Sequence, residues 1–319
     1  MDYAHKQTDK MLEELEESIF AVYKTVGDEL SDKLSAYLEK FEEQDEAKRK
    51  EVGAGTLTEQ EYRAWRQRKV EHGKEYAETV RKAAEVAYSA NTAAQEIVND
   101  RLPKIYALNQ NFINYTMEAA VGFKVGFVNE NTVIRLLRDN PELFPVYKLI
   151  KKDDIKYNIE KIRQTIASGL LQGKPMRDIA KDLQRVADMN RNSAILHAQT
   201  AVTGAENAGR QAGFENAKQM GIKFKKVWIA TLDGRTRDSH RKLDGQEVDP
   251  DEPFRSMYGK IRYPGDTRAD PRDVWRCRCS VGTRVMGASK GQRRAKNADG
   301  SYSVIEYKTY QEWEAAQRE

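Results

Sequence analysis

The start of the chain carries apolar residues at the three- and four-residue spacing of an amphipathic helix. The stripe begins at Leu12 and continues to Phe41, and residues with this spacing share one face of a helix. The pattern therefore predicts one long helix. Its apolar face must be covered by another helix, which either this chain or a partner chain supplies.

A second long helix is predicted to follow a break at the glycines 53 and 55. Thr58 and Glu61 have the spacing of a capping box, in which each side chain bonds to the backbone amide of the other residue. The sequence then stays rich in alanine and charged residues from 59 to about 100, and Pro103 is expected at or after the helix end. We expect the two helices to form an antiparallel hairpin.

The helical pattern is weaker between residues 105 and 152, where prolines, glycines and asparagines are frequent. We expect a connector there, with a small hairpin over 123–128. A short helix is predicted to be capped by Asn129 or Asn131 and to end before Asn140.

Helical periodicity returns at Asp153. One helix is predicted to end at Gly173, a second to open at Pro175, and a third to run from about 191 to 220, with Gly221 as its stop. The third helix is rich in alanine and glycine. Small side chains let another backbone approach closely, so we expect this helix to be packed between others.

Beyond residue 222 the pattern becomes alternating, which indicates strands. The predicted elements, in chain order, are a strand over 223–231, a short helix over 236–243, a long charged loop over 246–272, a strand over 274–281, a flexible basic linker from 288, a strand over 303–307 and a short helix capped by Thr309 and Glu312.

Together these elements predict a predominantly helical α+β fold. We expect four segments along the chain: a helical arm and connector (1–152), a helical bridge (153–222), a small α+β module (223–287), and a basic linker with a terminal strand and short helix (288–319).

Composition narrows the function classes. Charged residues make up 33% of the chain and the mean hydropathy is −0.80, values that suit long solvated helices better than a compact enzyme. The 54 Lys and Arg residues are nearly matched by 50 Asp and Glu, so net charge alone does not indicate a nucleic-acid-binding protein. No apolar run approaches the roughly 20 residues of a membrane span, and no signal peptide is recognisable. We expect a cytosol-like compartment and no membrane association.

The two cysteines, Cys277 and Cys279, are candidate metal ligands. Residues i and i+2 of an extended strand point to the same side, so the two thiols would project together, with His240 as a third ligand if the loop folds back. A structural zinc ion would need a fourth ligand. The candidates for it are Asp233, Asp238, Asp273 and water. The alternative is a metal-free site in which two reduced thiols pack as small apolar groups and the histidine bonds to a carboxylate.

His240 also supports an enzymatic alternative. With Asp233 or Asp238 orienting it, this histidine could act as the general base of a metal-dependent nuclease or phosphodiesterase, and nearby arginines could bind phosphate. The competing interpretation is that these charges form ion pairs on a turn and a short helix. No phosphate-binding loop, Ser-His-Asp pattern or HExxH motif is present, so no catalytic residue is assigned.

The basic linker contains Arg293, Arg294 and Lys296. These side chains could contact the phosphates of double-stranded DNA without sequence specificity. A solvated linker without such contacts is the alternative.

The segment WIATLDGRTRDSHRKLDGQEV, followed at a distance by WRCRCSV, resembles the signature of the phage Mu protein F-like family of head morphogenesis proteins. The resemblance extends over about residues 153–285. Its motif positions are filled by Asp233, Arg235, Thr236, Arg237, His240, Leu243, Asp244, Gly245, Cys277, Arg278 and Cys279. Members commonly carry a histidine or another polar residue shortly before Cys-Arg-Cys, where this chain has Val274-Trp275-Arg276, so the resemblance supplies no fourth metal ligand.

The resemblance implies a minor head protein of a tailed phage or prophage that is not an enzyme. Such a protein would bind the portal protein and other head proteins, act in head assembly, and take part in DNA packaging or delivery. It would be located in the virion head near the portal vertex, and in the host cytoplasm during assembly. A self-assembling helical scaffold is a further alternative.

Overall fold

A computed structural model describes residues 2–71, 73–140, 154–174, 176–286, 292–296, 302–306 and 309–318. The fold is predominantly helical α+β, as predicted. Its helices are α1 (Tyr3–Gly53), α2 (Glu59–Glu71), α3 (Lys74–Val121), α4 (Glu130–Asp139), α5 (Asp154–Leu171), α6 (Met176–Gln219), α7 (Asp238–Leu243), α8 (Pro271–Val274) and α9 (Tyr310–Arg318). Its strands are β1 (Phe224–Ile229), β2 (Glu247–Val248), β3 (Phe254–Ser256), β4 (Gly259–Ile261), β5 (Ser280–Val285), β6 (Gln292–Lys296) and β7 (Tyr302–Glu306).

The described residues fall into two compact units, each assembled from separated parts of the chain. The helical unit contains the described residues of Glu16–Ile97 and Lys148–Ile195. The module unit contains those of Met1–Leu15, Val98–Tyr147 and Leu196–Glu319. The division of the sequence at residues 152, 222 and 287 stays a prediction.

The helical unit contains an antiparallel pair formed by α1 and α3. Tyr23 of α1 donates a hydrogen bond to Asn91 of α3, and farther along α1 Lys40 pairs with Glu75 at 2.8 Å. Residue numbers rise along one helix and fall along the other, so the predicted antiparallel hairpin is confirmed. The apolar stripe of α1 is buried at Ile19, Tyr23, Val26, Leu34, Leu38 and Phe41.

The second predicted helix begins where expected but has different bounds. The capping box is present, since the Thr58 amide donates to Glu61 at 2.9 Å and the Glu61 amide donates to Thr58 Oγ1 at 3.2 Å. The prediction of one helix over 59–100 is wrong, because α2 ends at Glu71 and α3 continues through Pro103 to Val121. The neighbouring Leu102, Ile105 and Tyr106 are buried. Packing of this face therefore outweighs the backbone hydrogen bond that a proline cannot donate.

The segment after α3 contains no strand over its described residues 122–129, so the predicted hairpin there is wrong. Asn111 holds this segment instead, donating to the Val128 carbonyl and accepting from the Val128 amide, both at 2.8 Å. Asn129 caps α4, which ends before Asn140 as predicted.

One continuous helix, α6, replaces the two helices predicted on either side of residue 190. Neither glycine nor proline interrupts the sequence at this point. The expected close approach of another backbone is confirmed: a Cβ atom on Gly209 would lie 2.3 Å from the Tyr106 carbonyl oxygen, and one on Gly213 would lie 2.7 Å from Ile113 Cβ. Gly221, with a φ of 78°, ends the helix region as predicted.

The C-terminal part of the module unit contains a three-stranded antiparallel sheet in the order β2-β1-β5. Trp228 of β1 lies opposite Val281 of β5, and both are buried. The predicted strand over 274–281 is wrong in its bounds, because α8 ends at Val274 and β5 starts at Ser280. The predicted long loop contains β2 and the β3-β4 hairpin.

The predicted flexible linker is a β-strand over part of its length. Arg293, Arg294 and Lys296 lie in β6, which pairs with β7. The helix α9 has the predicted capping box, with Thr309 and Glu312 bonded to each other. No helix within the described ranges is both long enough and apolar enough to cross a membrane.

Candidate metal centre

The turn between β1 and α7 is organised by Asp233. Its carboxylate accepts hydrogen bonds from both terminal nitrogens of Arg278 at 2.6 and 2.7 Å, and from the Arg235 amide at 2.8 Å. These contacts hold the pKa of Asp233 well below its usual range, and the hydrogen bonds from Arg278 contribute most to the shift. Asp233 therefore caps the turn as an ionised carboxylate.

The Asp-Gly pair that follows α7 fixes this short helix against β1. The Asp244 side chain accepts from the Ala230 amide, and the Gly245 amide donates to the Trp228 carbonyl, both at 2.9 Å. Gly245 has a φ of 73°, a conformation that glycine adopts without steric cost. The result is that His240 of α7 is buried edge-on against the Trp228 ring, with ring centroids 5.6 Å apart.

His240 faces both thiols. Its Nδ1 lies 3.3 Å from Cys279 Sγ and 3.6 Å from Cys277 Sγ, and the Cys279 amide donates to Cys277 Sγ at 3.4 Å. One ligand atom from each of the three buried residues lies within 4.8 Å of the others. The thiols meet in the segment before β5, where Arg276 has a φ of 53°, and not along a regular strand as the sequence suggested.

One stripe of α6 holds the backbone that carries the thiols. This polar stripe consists of Thr200, Thr203, Asn207 and Arg210, whose spacings of three and four place them on one helical face. The contacts are Arg276 N to Thr200 Oγ1 (3.2 Å), Thr203 Oγ1 to Cys277 O (2.6 Å), Asn207 Nδ2 to Cys279 O (3.2 Å), Val281 N to Asn207 Oδ1 (2.9 Å) and Arg210 Nη1 to Val281 O (3.1 Å). A helical turn of about 5.4 Å is close to the length of two extended residues, so successive turns meet alternate residues of the segment.

Arg210, the last residue of the polar stripe, is fully buried. Asp2 accepts two hydrogen bonds from its guanidinium at 2.8 and 2.9 Å, and Glu206 lies 3.2 Å away. Glu206 also contacts His5 Nδ1 at 2.7 Å. Burial is the largest single influence and lowers the pKa of His5, but the hydrogen bond to Glu206 and the charges of Glu206 and Asp9 together outweigh it, so the net shift is upward. The buried cation is therefore compensated by carboxylates from α6 and from the start of the chain.

A carboxylate lies on the far side of the His240 ring. Nε2 of His240 is 3.5 Å from Asp273 Oδ1, and both atoms are buried without a hydrogen-bond partner among the described residues. The second carboxylate oxygen of Asp273 accepts from Ser256 of β3. Carboxylates in this position orient metal-binding imidazoles and leave the other ring nitrogen to the metal.

This donor set fits a zinc ion. Zinc in proteins is commonly bound by cysteine thiolates and histidine nitrogens, and two thiols and one imidazole nitrogen meet here. The hydrogen bond from Cys277, together with the contact to His240, lowers the pKa of the Cys279 thiol despite its burial, whereas burial raises the pKa of Cys277. Asp273 on the far side of the ring occupies the place where metal-binding histidines commonly have a carboxylate, although at 3.5 Å from Nε2 it accepts no hydrogen bond from it.

Comparisons with known proteins place the chain in a family. Residues 160–282 match the family described as Phage Mu protein F like protein. The chain is 33% identical over 222 residues to the "Minor head protein GP7" of Bacillus phage SPP1, an alignment that covers 69% of this chain and 71% of that protein. The chain belongs to the phage Mu protein F-like family.

A second relative of this Mu F-like chain has a different name. It is the "NAD(+)--arginine ADP-ribosyltransferase EFV" of Enterococcus faecalis, 31% identical over 207 residues, which are 63% of this chain and 41% of that protein. No solved structure matches the chain at a significant level.

The Mu F-like motif residues divide into two groups in the structure. His240, Cys277 and Cys279 come together, but Asp233 does not join them, because both of its oxygens are bonded to Arg278. Asp273 lies on the far ring nitrogen of His240, which is not the side that faces the thiols. Of the other motif residues, Arg235, Arg237, Asp244, Gly245 and Arg278 shape the turn and the surroundings of the site.

The sequence interpretation did not identify the polar stripe of the Mu F-like chain as part of the site. A signal was available, because Thr203, Asn207 and Arg210 are polar positions spaced by four and three in a segment otherwise rich in alanine and glycine. Asp2 carried no comparable signal, since its partner is 208 residues away in the sequence.

Proposed function

We propose that this chain is a minor head protein of a tailed phage or prophage, located in the virion head and active in head assembly. The observation that supports this most strongly is the similarity to the SPP1 minor head protein over 69% of the chain. We further propose that it binds the portal protein at the portal vertex and takes part in DNA packaging or delivery. The long charged helices of the helical unit offer extended surfaces for other head proteins.

Binding to the portal can be tested by co-sedimentation. The purified chain is mixed with portal protein and with procapsids from the same phage, and bound material is separated by size. Co-migration with portal at a fixed stoichiometry supports the proposal. Free chain in every fraction contradicts it, and large homo-oligomers formed without a partner would favour the self-assembling scaffold.

Within this function, the role proposed for His240, Cys277 and Cys279 is to bind a structural zinc ion. Two of these ligands come from the segment before β5 and one comes from α7. A metal bound to all three would tie α7 to that segment and to the polar stripe of α6. Zinc sites of this kind contribute directly to folding free energy.

The proposed function is not enzymatic. A nuclease with His240 as base would need that histidine to reach a substrate, but its side chain is 3% exposed and its Nδ1 faces two thiols. The proposed orienting residue, Asp233, is bonded to Arg278. A plasmid-cleavage assay with divalent metal tests this: no cleavage is expected, whereas cleavage that is lost in His240→Ala would support the nuclease.

Non-specific DNA contact is proposed for Arg293, Arg294 and Lys296 of β6. Binding through phosphates releases counterions, so affinity should fall steeply with salt concentration. We expect that replacing all three residues by glutamine reduces the salt dependence of DNA binding. An unchanged salt dependence would assign DNA contact to another part of the chain.

A further inference from the structure

We propose that the metal ion of this centre keeps one coordination position for an exchangeable ligand, which is water or a small anion. This inference rests on the metal centre proposed above and concerns what completes its coordination. Four arginines around the centre attract the anion: Arg235, Arg237, Arg276 and Arg278.

The protein ligands that the structure brings together number three. Across the described part of the chain, no other His, Cys, Asp or Glu joins His240, Cys277 and Cys279 in the cluster. Of the acidic residues nearby, Asp233 is bonded to Arg278, and Asp273 lies beside the ring nitrogen that faces away from the thiols. Zinc sites with three protein ligands complete a tetrahedron with water or another exchangeable group, whereas closed structural sites use four protein ligands.

A small cavity lies against the three ligand residues. Its volume is about 20 Å³, and its wall includes His240 and both cysteines. A polar cavity needs roughly 10–15 Å³ to hold one water molecule, so the space suits a single small ion, and the bound metal would occupy it. Among the described residues that line it, the three ligands are the only thiols and imidazole and there is no carboxylate, so a fourth ligand would reach the metal from the side of the arginines.

Four arginines form most of the rest of this wall, beside Thr231 and Thr236. Arg235, Arg237, Arg276 and Arg278 all line the cavity, and Arg235 and Arg276 are exposed to solvent. The carboxylate of Asp233 contacts two of these guanidiniums, those of Arg278 and Arg235. A divalent ion bound by two thiolates and a neutral imidazole has no net charge, so it does not cancel the positive field of the arginines. The arrangement therefore favours a negatively charged ligand at the fourth position.

The test uses the full chain loaded with Co²⁺ in place of zinc, and azide and acetate as probes. Thiolate-to-cobalt charge-transfer bands report the metal centre itself, and the visible d–d bands report the fourth ligand. We expect both sets of bands, with the d–d bands shifting to saturation as either anion is added. If the charge-transfer bands are absent, the metal centre and this inference both fail. If the charge-transfer bands are present but neither anion shifts the d–d bands, the metal centre is supported and the exchangeable position is refuted.

Substitutions then test the arginines. Arg276→Gln and Arg235→Gln should each weaken azide binding by about two- to fivefold, as expected for removal of one partly solvated charge. Arg255→Gln is the matched control, because Arg255 is an exposed arginine of β3 that does not line the cavity. Equal azide affinity in all three variants would refute the role given to the arginines. Circular dichroism verifies folding, and the second arginine variant serves if the first does not fold.

Discussion

Different kinds of contact stabilise the interior of the helical unit and the interior of the module unit. In the helical unit, α1 buries an apolar stripe from Ile19 to Phe41. In the module unit, α6 presents a polar stripe whose side chains bond to the backbone of an extended segment. An apolar stripe tolerates small shifts, because burial free energy depends on area. A polar stripe fixes the register of the segment, since each buried hydrogen-bonding group needs its own partner.

The difference explains where the chemistry is found. The segment held by α6 carries Cys277 and Cys279, and a metal site needs its donor atoms placed within a few tenths of an ångström. The helical unit offers long surfaces with many exposed ion pairs such as Lys40–Glu75 and Arg81–Glu85. One unit is therefore suited to a defined site and the other to extended contacts with partners.

The largest effect is expected from Arg210→Met. It leaves the carboxylates of Asp2 and Glu206 without their buried cation and Val281 O without its donor. Breaking a buried ion pair from one side costs about 3–5 kcal/mol, measured as the free energy of unfolding in urea. The control is Arg284→Met, which removes an exposed pair with Glu247 and should cost less than about 1 kcal/mol. Equal effects in the two variants would contradict the importance given to the polar stripe.

Gly209→Ala tests the close approach that lets α6 reach its position in the module unit. The added Cβ atom would lie 2.3 Å from the Tyr106 carbonyl oxygen, and neither backbone can move without shifting its neighbours. Overpacking of this kind costs about 1–3 kcal/mol. Gly234→Ala, with no atom within 4 Å of the new Cβ, should change stability by less than about 0.5 kcal/mol. A neutral Gly209→Ala would mean that the helices separate easily.

The contact between His5 and Glu206 predicts a pH dependence of stability. The pKa of His5 is raised in the folded protein, so its contribution is fully present below about pH 6.5, the unfolded value, and is lost as pH rises through the folded-state pKa. Nearby Asp2, Asp9 and Arg210 share this environment. The slope cannot exceed about 1.4 kcal/mol per pH unit for one proton.

Denaturant unfolding across this pH range checks the prediction with two variants. His5→Gln should remove the decline in stability above pH 6.5. His197→Gln should leave that decline in place, because burial lowers the pKa of His197 to about 4 and its titration affects stability on the acidic side. An unchanged profile in His5→Gln would contradict the role of this histidine.

The smallest effect is expected from Lys40→Ala in the helical unit. Its pair with Glu75 is formed by side chains that are each more than half exposed, and such pairs contribute about 0.2–1 kcal/mol. Raising the salt concentration should reduce the effect further. A loss above 2 kcal/mol in urea unfolding would show that exposed ion pairs stabilise the helical unit more than its apolar stripe suggests.

Features that depend on local residue spacing are predicted from the sequence, whereas features that depend on packing are not. The antiparallel pairing of α1 with α3 and both capping boxes follow from local spacing, and the structure has them. The continuation of α3 through Pro103 depends on burial of Leu102, Ile105 and Tyr106, which local propensity does not contain. The continuity of α6, by contrast, agrees with the local sequence, which has neither glycine nor proline near residue 190.

For the site, the residue types in the sequence indicate which side chains could bind a metal, but they do not indicate how the fold arranges those side chains. His240, Cys277 and Cys279 could be selected as ligands because few other residue types bind soft metals. Asp233 is one of the candidate fourth ligands that the sequence leaves open, but its oxygens face Arg278. Asp233 and Arg278 are 45 residues apart in the sequence. The fold of the turn and of the cysteine segment brings them together, and no spacing rule in the sequence predicts this pairing.

Metal analysis of the purified chain is the most direct test of the metal centre held by the polar stripe. Protein prepared without added metal should contain about one zinc per chain, and Cys277→Ser should lower both the zinc content and the thermal stability, because metal binding and folding are coupled. A well-folded preparation that contains no zinc, and whose stability is unchanged by chelators, would contradict a structural metal centre and favour two packed, reduced thiols.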